Sequence, residues 1–183
     1  MKDLKRDIKA NASYGEIRKN PNKQMEWEKL RSKEYWEYRK KWEELPKTGV
    51  TSNFPLCINI ETTNICNLDC IMCPRTVLIA RNEFAQTGLM NFDLYKKIID
   101  ELEGNVEAIT LASRGEPTLN KKFIEFIKYC KDKFVALKIN TNLSTMTEDM
   151  AKAIFENDVQ TLVVSADAAD KVSYEKIRVK GVF

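Results

Sequence analysis

From residue 56 onward the sequence alternates short strand-like apolar runs with longer amphipathic runs, and this alternation limits the possible folds more than any other feature. The longer runs repeat their apolar residues at three- and four-residue steps, as helices do. Regular alternation of strands and helices is typical of an α/β fold with a parallel sheet. The predicted strands are Leu56–Glu61, Val106–Ala112, Phe134–Ile139 and Val159–Val164, and the predicted helices are Phe92–Leu102, Lys121–Asp132, Thr147–Asn157 and Ser173–Val179.

The connection after the first predicted strand is longer than the others. The strands start at residues 56, 106, 134 and 159, so the first spacing exceeds a plain β-α repeat by about twenty residues. Polar residues also follow each strand, and in parallel βα folds the carboxyl ends of the strands share one rim, where active sites are built. We therefore expect one site at this rim, formed by Thr62–Asn64, Ser113–Glu116, Asn140–Asn142 and Ser165–Asp167.

The composition is that of an ordinary globular domain with an appendage. The chain has 183 residues, of which 43% are hydrophobic and 31% charged, with a formal net charge of +3. That charge is too small to argue for nucleic acid or a membrane by itself. The sequence contains no histidine, which excludes a Ser-His-Asp triad and every histidine-ligated zinc site. Five cysteines, an odd number at low density, argue against a secreted disulfide scaffold and favour a reducing cytoplasm.

Residues 1–55 differ from the rest in charge and pattern. They carry 14 Lys and Arg against 9 Asp and Glu, whereas residues 56–183 have a net charge of −2. Between Asn22 and Pro46 the apolar residues recur at helical steps, which predicts an amphipathic helix ended by the proline and packed on the main domain. The alternative is a basic aromatic surface that binds RNA or a membrane. We divide the chain into a helical extension, 1–55, and a core, 56–183.

Three cysteines fall within eight residues of the enlarged loop. Cys66, Cys70 and Cys73 form a CxxxCxxC pattern, whereas Cys57 and Cys130 are placed as small buried apolar residues. A redox CxxC pair would not need the third cysteine, and a structural zinc site would want a fourth ligand. Three thiolates can hold three irons of a [4Fe–4S] cluster and leave the fourth iron open to another ligand. A plain zinc loop is the alternative.

The segment from Ile60 to Arg75 strongly resembles the signature of radical S-adenosylmethionine (SAM) enzymes. The resemblance implies that Cys66, Cys70 and Cys73 bind a [4Fe–4S] cluster whose unique iron is chelated by SAM. It further implies reductive cleavage of SAM to a 5′-deoxyadenosyl radical, which abstracts hydrogen from a substrate. An electron donor such as flavodoxin or ferredoxin would then be a partner.

The same resemblance implies a set of SAM contacts at the rim. Met72 stands where the family usually has an aromatic residue, and Arg114 replaces the first glycine of its GGEP-like segment. Each assignment has a structural alternative: packing for a methionine, a turn for an asparagine, a solvated helix terminus for a serine and an arginine. The implied contacts are Met72, Gly115, Glu116, Asn140, Ser165 and Arg178.

The resemblance covers residues 56–183 and about four of the six βα units of a radical SAM partial barrel. The later strands, and the auxiliary-cluster regions of the SPASM or twitch subgroup, would lie in a missing C-terminal half or in a partner chain. An open half-barrel leaves an apolar edge strand unpaired. The leading hypothesis is a radical SAM enzyme acting on a peptide, sugar or metabolite. The alternatives are a non-catalytic metal- or cluster-binding module and an RNA-binding adaptor.

Overall fold

The computed structural model describes residues 29–84 and 86–183. In these ranges four strands alternate with helices, and a short 3₁₀ turn follows the second strand. The elements are α1 (Lys33–Thr48), β1 (Cys57–Ile60), α2 (Pro74–Ala80), α3 (Phe92–Leu102), β2 (Ala108–Leu111), the 3₁₀ turn (Pro117–Leu119), α4 (Phe123–Cys130), β3 (Ala136–Thr141), α5 (Glu148–Glu156), β4 (Thr161–Val164) and α6 (Lys171–Ile177).

The four strands form one parallel sheet in the order β1-β2-β3-β4. Each strand pairs with its neighbour in sequence, so the chain winds in one direction around the sheet, as in a partial (β/α) barrel. The predicted α/β class is confirmed. Strands β1 and β4 are the edges of the described sheet, and Leu162 and Val164 on β4 are 38% and 44% exposed. This edge therefore shows the apolar, unpaired character expected of an open half-barrel.

The two faces of the sheet differ in polarity because side chains alternate along each strand. One face packs on α3, α4 and α5 through fully buried residues such as Ile109, Leu111 and Ile139. The opposite face carries a polar row, and the register aligns Asn59 with Thr110 and Thr110 with Lys138. The hydrophobic core thus lies between the sheet and its helices and leaves the other face polar.

Helix α1 packs at the amino ends of the strands. Tyr38 is 6% exposed and contacts a small cluster that includes Ala108 and Ala136, the first residues of β2 and β3. The Ser32 hydroxyl caps the helix by accepting a hydrogen bond from the Tyr35 amide at 3.2 Å. This is the packing against the main domain that the amphipathic pattern predicts, at the end of the sheet opposite the polar rim.

The predicted end of this helix is wrong, and its predicted start lies outside the described residues. The described helix begins at Lys33, where Ser32 caps it, and the predicted start near Asn22 falls in residues 22–28, which the structure does not describe. Pro46 lies inside the helix instead of ending it, since a proline in the last turn removes a single hydrogen bond. The helix ends at Gly49, which adopts φ 66° and donates its amide to Leu45.

Strand β3 also differs from the prediction. It runs to Thr141, so Asn140 lies within the strand and not in a turn after it. The reason is pairing with β4, which aligns Asn140 with Val163 and Thr141 with Val164. Helix α2 was not predicted; it begins directly after the third clustered cysteine. None of the helices in the described ranges is both long and apolar enough to cross a membrane.

Candidate functional site

The loop that follows β1 carries the three clustered cysteines and ends where α2 begins. Cys73 is the N-terminal cap of α2, and Pro74 supplies the first helical residue, a position that proline favours. Cys70 is 5% exposed, while Cys66 and Cys73 are half-buried, and all three are free thiols. Burial raises the pKa of the Cys66 thiol. The segment is therefore a reduced, partly buried thiol loop at the carboxyl end of the first strand.

Gly115 fixes the start of this loop through close backbone contact. A Cβ atom at residue 115 would lie 1.9 Å from the carbonyl oxygen of Thr63, so only glycine fits. The next residue, Glu116, donates its amide to the carbonyl of Ile65 at 2.8 Å, one residue before Cys66. The segment after β2 and the thiol loop thus lie directly against each other.

The Glu116 carboxylate joins the ends of β2 and β3. It is 3% exposed. One oxygen accepts hydrogen bonds from the amide and hydroxyl of Thr118, at 3.2 and 2.7 Å, and from the Thr141 hydroxyl at 2.6 Å. The other oxygen accepts from the Asn142 amide at 2.7 Å. Four donors therefore hold this carboxylate in place below the rim.

Asn142 connects the end of β3 to the thiol loop. Its side-chain nitrogen donates to the side-chain oxygen Oδ1 of Asn67 at 3.0 Å and lies 3.9 Å from the Cys66 sulfur. Ser165, which follows β4, donates its amide to the Thr141 carbonyl at 2.9 Å. The polar segments after all four strands therefore meet at one rim, as the strand-end pattern predicts.

Arg75 fills the interior of the thiol loop. It is 7% exposed and donates to the carbonyl oxygens of Asn64 and Leu68, at 3.2 and 3.4 Å. Its guanidinium also lies 3.5 Å from the Asp69 carboxylate. Sequence reasoning missed this role, and the signal available for it was a cation two residues after the last cysteine of the loop.

The segment after α6 holds the other side of the thiol loop, which sequence reasoning also missed. The amides of Asp69 and Ile71 donate to the carbonyls of Val179 and Ile177, at 3.0 and 3.1 Å. Lys180 forms an ion pair with Asp69, and its hydrogen bond lowers the pKa of that carboxyl. Two backbone hydrogen bonds and an ion pair thus attach residues more than a hundred positions apart.

Arg178 lies between these two backbone bonds, with its side chain directed at the loop. One terminal nitrogen is 3.3 Å from the Cys70 sulfur, and the other forms an ion pair with Asp167 after β4. The side chain is 15% exposed. The arginine that sequence similarity assigns to SAM is therefore placed beside a predicted cluster ligand.

Several buried polar atoms at the site have no hydrogen-bond partner within the described residues. They are Thr62 Oγ1, Thr76 Oγ1, Asn140 Oδ1 and Arg178 Nε. Buried polar atoms are normally paired, so unpaired ones mark places where a ligand or water binds. Two of these atoms belong to predicted SAM contacts, on the polar face and at the rim.

The structure brings some predicted site residues together and leaves others apart. Gly115, Glu116 and Ser165 meet around the ends of the central strands, and Arg178 meets Cys70, whereas Met72 is 51% exposed on the loop. In the two described ranges, no three cysteine, aspartate or glutamate side chains are gathered closely enough to hold a metal ion. The donor chemistry nevertheless fits an iron–sulfur cluster, because three free thiols occupy one loop with no histidine nearby.

Comparison with known proteins points to one family. A model of the radical SAM superfamily matches residues 60–183. Among curated proteins, a tungsten-containing aldehyde ferredoxin oxidoreductase cofactor-modifying protein from Pyrococcus furiosus is 32% identical over 110 residues, covering 59% of this chain and 30% of that protein. Mycofactocin maturase MftC from Mycolicibacterium smegmatis is 29% identical over 129 residues, covering 70% of this chain and 32% of the maturase.

Solved structures show the same likeness. BtrN, crystallised with AdoMet and 2-DOIA, superposes with a TM-score of 0.53 at 26% identity over 68% of this chain and 51% of BtrN. SuiB from Streptococcus suis, bound to S-adenosylmethionine, gives a TM-score of 0.57 at 20% identity over 76% of this chain and 31% of SuiB, which is a likeness of fold. The chain spans about a third of the length of the curated relatives it matches.

Proposed function

Because the chain belongs to the radical SAM superfamily, whose members are enzymes that use a [4Fe–4S] cluster and SAM, we propose that its thiol loop is the cluster site. In this proposal Cys66, Cys70 and Cys73 each bind one iron, and the fourth iron is left for SAM. The observation that carries the proposal is a loop of three free thiols joined on both sides to the carboxyl rim of the matching fold. Residues 56–183 would be the catalytic core and residues 1–55 an extension, whose described helix α1 packs at the opposite end of the sheet.

When bound and reduced, the cluster supplies one electron that cleaves SAM to methionine and a 5′-deoxyadenosyl radical, which abstracts hydrogen from the substrate. The protein's residues position and shield these groups. Arg75 and the backbone partners of Asp69 and Ile71 hold the thiol loop, and Gly115 holds the start of the loop against β2.

The SAM contacts would lie along the rim. Asn140 and Arg178 support this assignment because each has a buried polar atom without a partner, an acceptor and a donor respectively. The acceptor suits a ribose hydroxyl or an ammonium group, and the donor suits a carboxylate. The oxygens of Glu116 already accept four hydrogen bonds, so its contribution would be to hold the neighbouring Gly115 in place at the rim. Met72 would pack on adenine, and Ser165 would contact the methionyl part of SAM.

We assign the substrate to the polar face of the sheet and a completing partner to its β4 edge. The polar face of the sheet opposite the helices would receive a peptide, sugar or small metabolite. SuiB has been crystallised with its precursor peptide SuiA, which supports the peptide class. Flavodoxin or ferredoxin would reduce the cluster. A further C-terminal part or a partner chain would pair with the β4 edge and complete the barrel, and a reducing cytoplasm would keep the five thiols free.

The test is anaerobic reconstitution of the chain with iron and sulfide, followed by dithionite reduction with SAM. We expect close to four irons and four sulfides per chain by the cubane stoichiometry, and 5′-deoxyadenosine detected by chromatography. Cys70→Ala should lose both, whereas Cys57→Ala, a half-buried thiol outside the loop, is the matched control and should keep both. Zinc without sulfide in the wild-type chain would contradict the proposal.

A further inference from the structure

The contact between Arg178 and Cys70 is built into the fold from three sides. The backbone bonds from Asp69 and Ile71 to Val179 and Ile177 place the two residues opposite each other. The Asp167 carboxylate holds one terminal nitrogen of the guanidinium and leaves the other directed at the sulfur, 3.3 Å away. A 15% exposed side chain held in this way has few alternative positions.

A cation that donates an N–H to a sulfur has a defined effect on an iron–sulfur cluster. Reduction adds a negative charge, which is shared with the ligand sulfurs, and a hydrogen-bond donor stabilises the more negative state. Hydrogen bonds to sulfur and the net charge near a cluster are two of the means by which proteins set its reduction potential. Low exposure strengthens the effect, because the contact is poorly screened by solvent.

From this geometry we infer that Arg178 raises the reduction potential of the cluster by donating a hydrogen bond to the sulfur of Cys70, with Asp167 orienting the guanidinium. The inference depends on the proposed function, because it needs Cys70 as a cluster ligand. It adds a tuning role that is separate from any SAM contact, since the nitrogen at the sulfur is Nη1 and the unpartnered one is Nε.

Lys180 provides a matched control within the same segment. Lys180 carries the same charge and pairs with Asp69 of the thiol loop, but its side chain is 65% exposed. Its partner in the loop is a carboxylate, whereas that of Arg178 is the Cys70 sulfur. Lys180→Gln therefore removes one positive charge close to the loop without removing a donor to sulfur.

The experiment is a redox titration of the reconstituted chain without SAM, followed by EPR of the reduced cluster. At the wild-type midpoint potential, we expect Arg178→Gln to lower the ratio of reduced to oxidised cluster about tenfold, which is 59 mV for a one-electron couple. Arg178→Lys, which keeps the charge but not the planar fork, should lower the ratio at least about threefold on the same scale. Lys180→Gln should stay within about twofold of the wild type, because an exposed charge is screened.

Each outcome decides a different point. A wild-type chain that takes up no iron and sulfide defeats the proposed function. A cluster whose ratio is unchanged in Arg178→Gln, or shifted equally by Lys180→Gln, defeats the tuning role alone. If Arg178→Gln fails to load a cluster, the lysine variant decides: a lowered ratio supports the inference and an unchanged one overturns it.

Discussion

Replacing Gly115 with alanine should detach the start of the thiol loop from β2. The new Cβ would lie 1.9 Å from the Thr63 oxygen, 2.6 Å from the Thr63 carbonyl carbon and 2.9 Å from Asn64 Cα. Real Cβ atoms essentially never come closer than 3.0 Å to such atoms, so the two backbones must separate by about 1.1 Å. The hydrogen bond from Glu116 to Ile65, now 2.8 Å, would be stretched beyond bonding distance.

The expected cost follows from these two effects. Forced displacement in a packed region typically costs about 1–3 kcal/mol, and the lost backbone hydrogen bond adds about 1 kcal/mol. Gly115→Ala should therefore lose about 2–4 kcal/mol of unfolding free energy, which lowers Tm by about 5–15 °C for a chain of this size. Iron uptake should fall with it, because the loop start moves away from the rim.

Urea unfolding of the apo-chain followed by circular dichroism measures this loss, with iron content as the second readout. Gly88→Ala is the control: its backbone also bonds to Thr63 and Asn64, but an added Cβ would meet nothing within 4 Å. The control should stay within about 0.5 kcal/mol of the wild type. Equal stabilities of the two variants would refute the steric argument.

Three further predictions concern single titratable groups. In Glu116→Gln, a side-chain NH2 group would face hydrogen-bond donors such as the Asn142 amide. The free energy of unfolding, measured in urea, should fall by about 1–3 kcal/mol. An unchanged urea midpoint would contradict the arrangement of four donors around Glu116. Burial raises the pKa of Cys130 to about 11. Iodoacetamide at about pH 8 should therefore leave this thiol unlabelled in the native chain. Labelling as fast as in urea, measured by mass spectrometry, would disprove this. Burial opposes ionisation of Glu61, but hydrogen bonds from Arg114 prevail and lower its pKa below 4.5. The Glu61–Arg114 pair therefore stabilises the fold above pH 4.5, and this contribution is lost as the pH falls through the lower pKa of the folded state. Glu61→Gln should reduce the loss of Tm in acid by the equivalent of at most about 1 kcal/mol. A pH profile of Tm identical to that of the wild type would contradict the pairing.

The sheet could be predicted from sequence because each strand and helix has a local signature. Helix α3 matches its predicted bounds, Phe92–Leu102, since Asn91 caps it and the apolar spacing continues to its end. The end of β3 could not be found in this way, because Asn140 resembles a turn residue until its pairing with Val163 on β4 is known. Helix α2 was missed because its seven residues are too few to show a helical period.

In the candidate site, too, the features with a local sequence signature could be predicted and those that depend on distant contacts could not. The thiol loop and the segment at Gly115 can be found in sequence because their residue types and spacings are specific to the chemistry. The contacts of Arg75 and of residues 177–180 could not, since each is a side chain or backbone group that is satisfied by a distant part of the chain. Binding of iron by Cys66, Cys70 and Cys73 is a prediction that reconstitution of the Cys70→Ala variant tests.

The attachment of the thiol loop to residues 177–180 makes the support of the loop depend on a part of the chain that is synthesised much later. The amides of Asp69 and Ile71 acquire their partners only when the chain has been synthesised beyond Val179 and α6 has folded against the sheet. Contacts over such separations form late, because the entropy of closing the intervening chain is lost before they contribute. A nascent chain that has exposed all three cysteines at the ribosome therefore still lacks the support of its loop. Under the proposed function, iron and sulfide would therefore meet a supported thiol loop only in a chain that has completed its fourth βα unit.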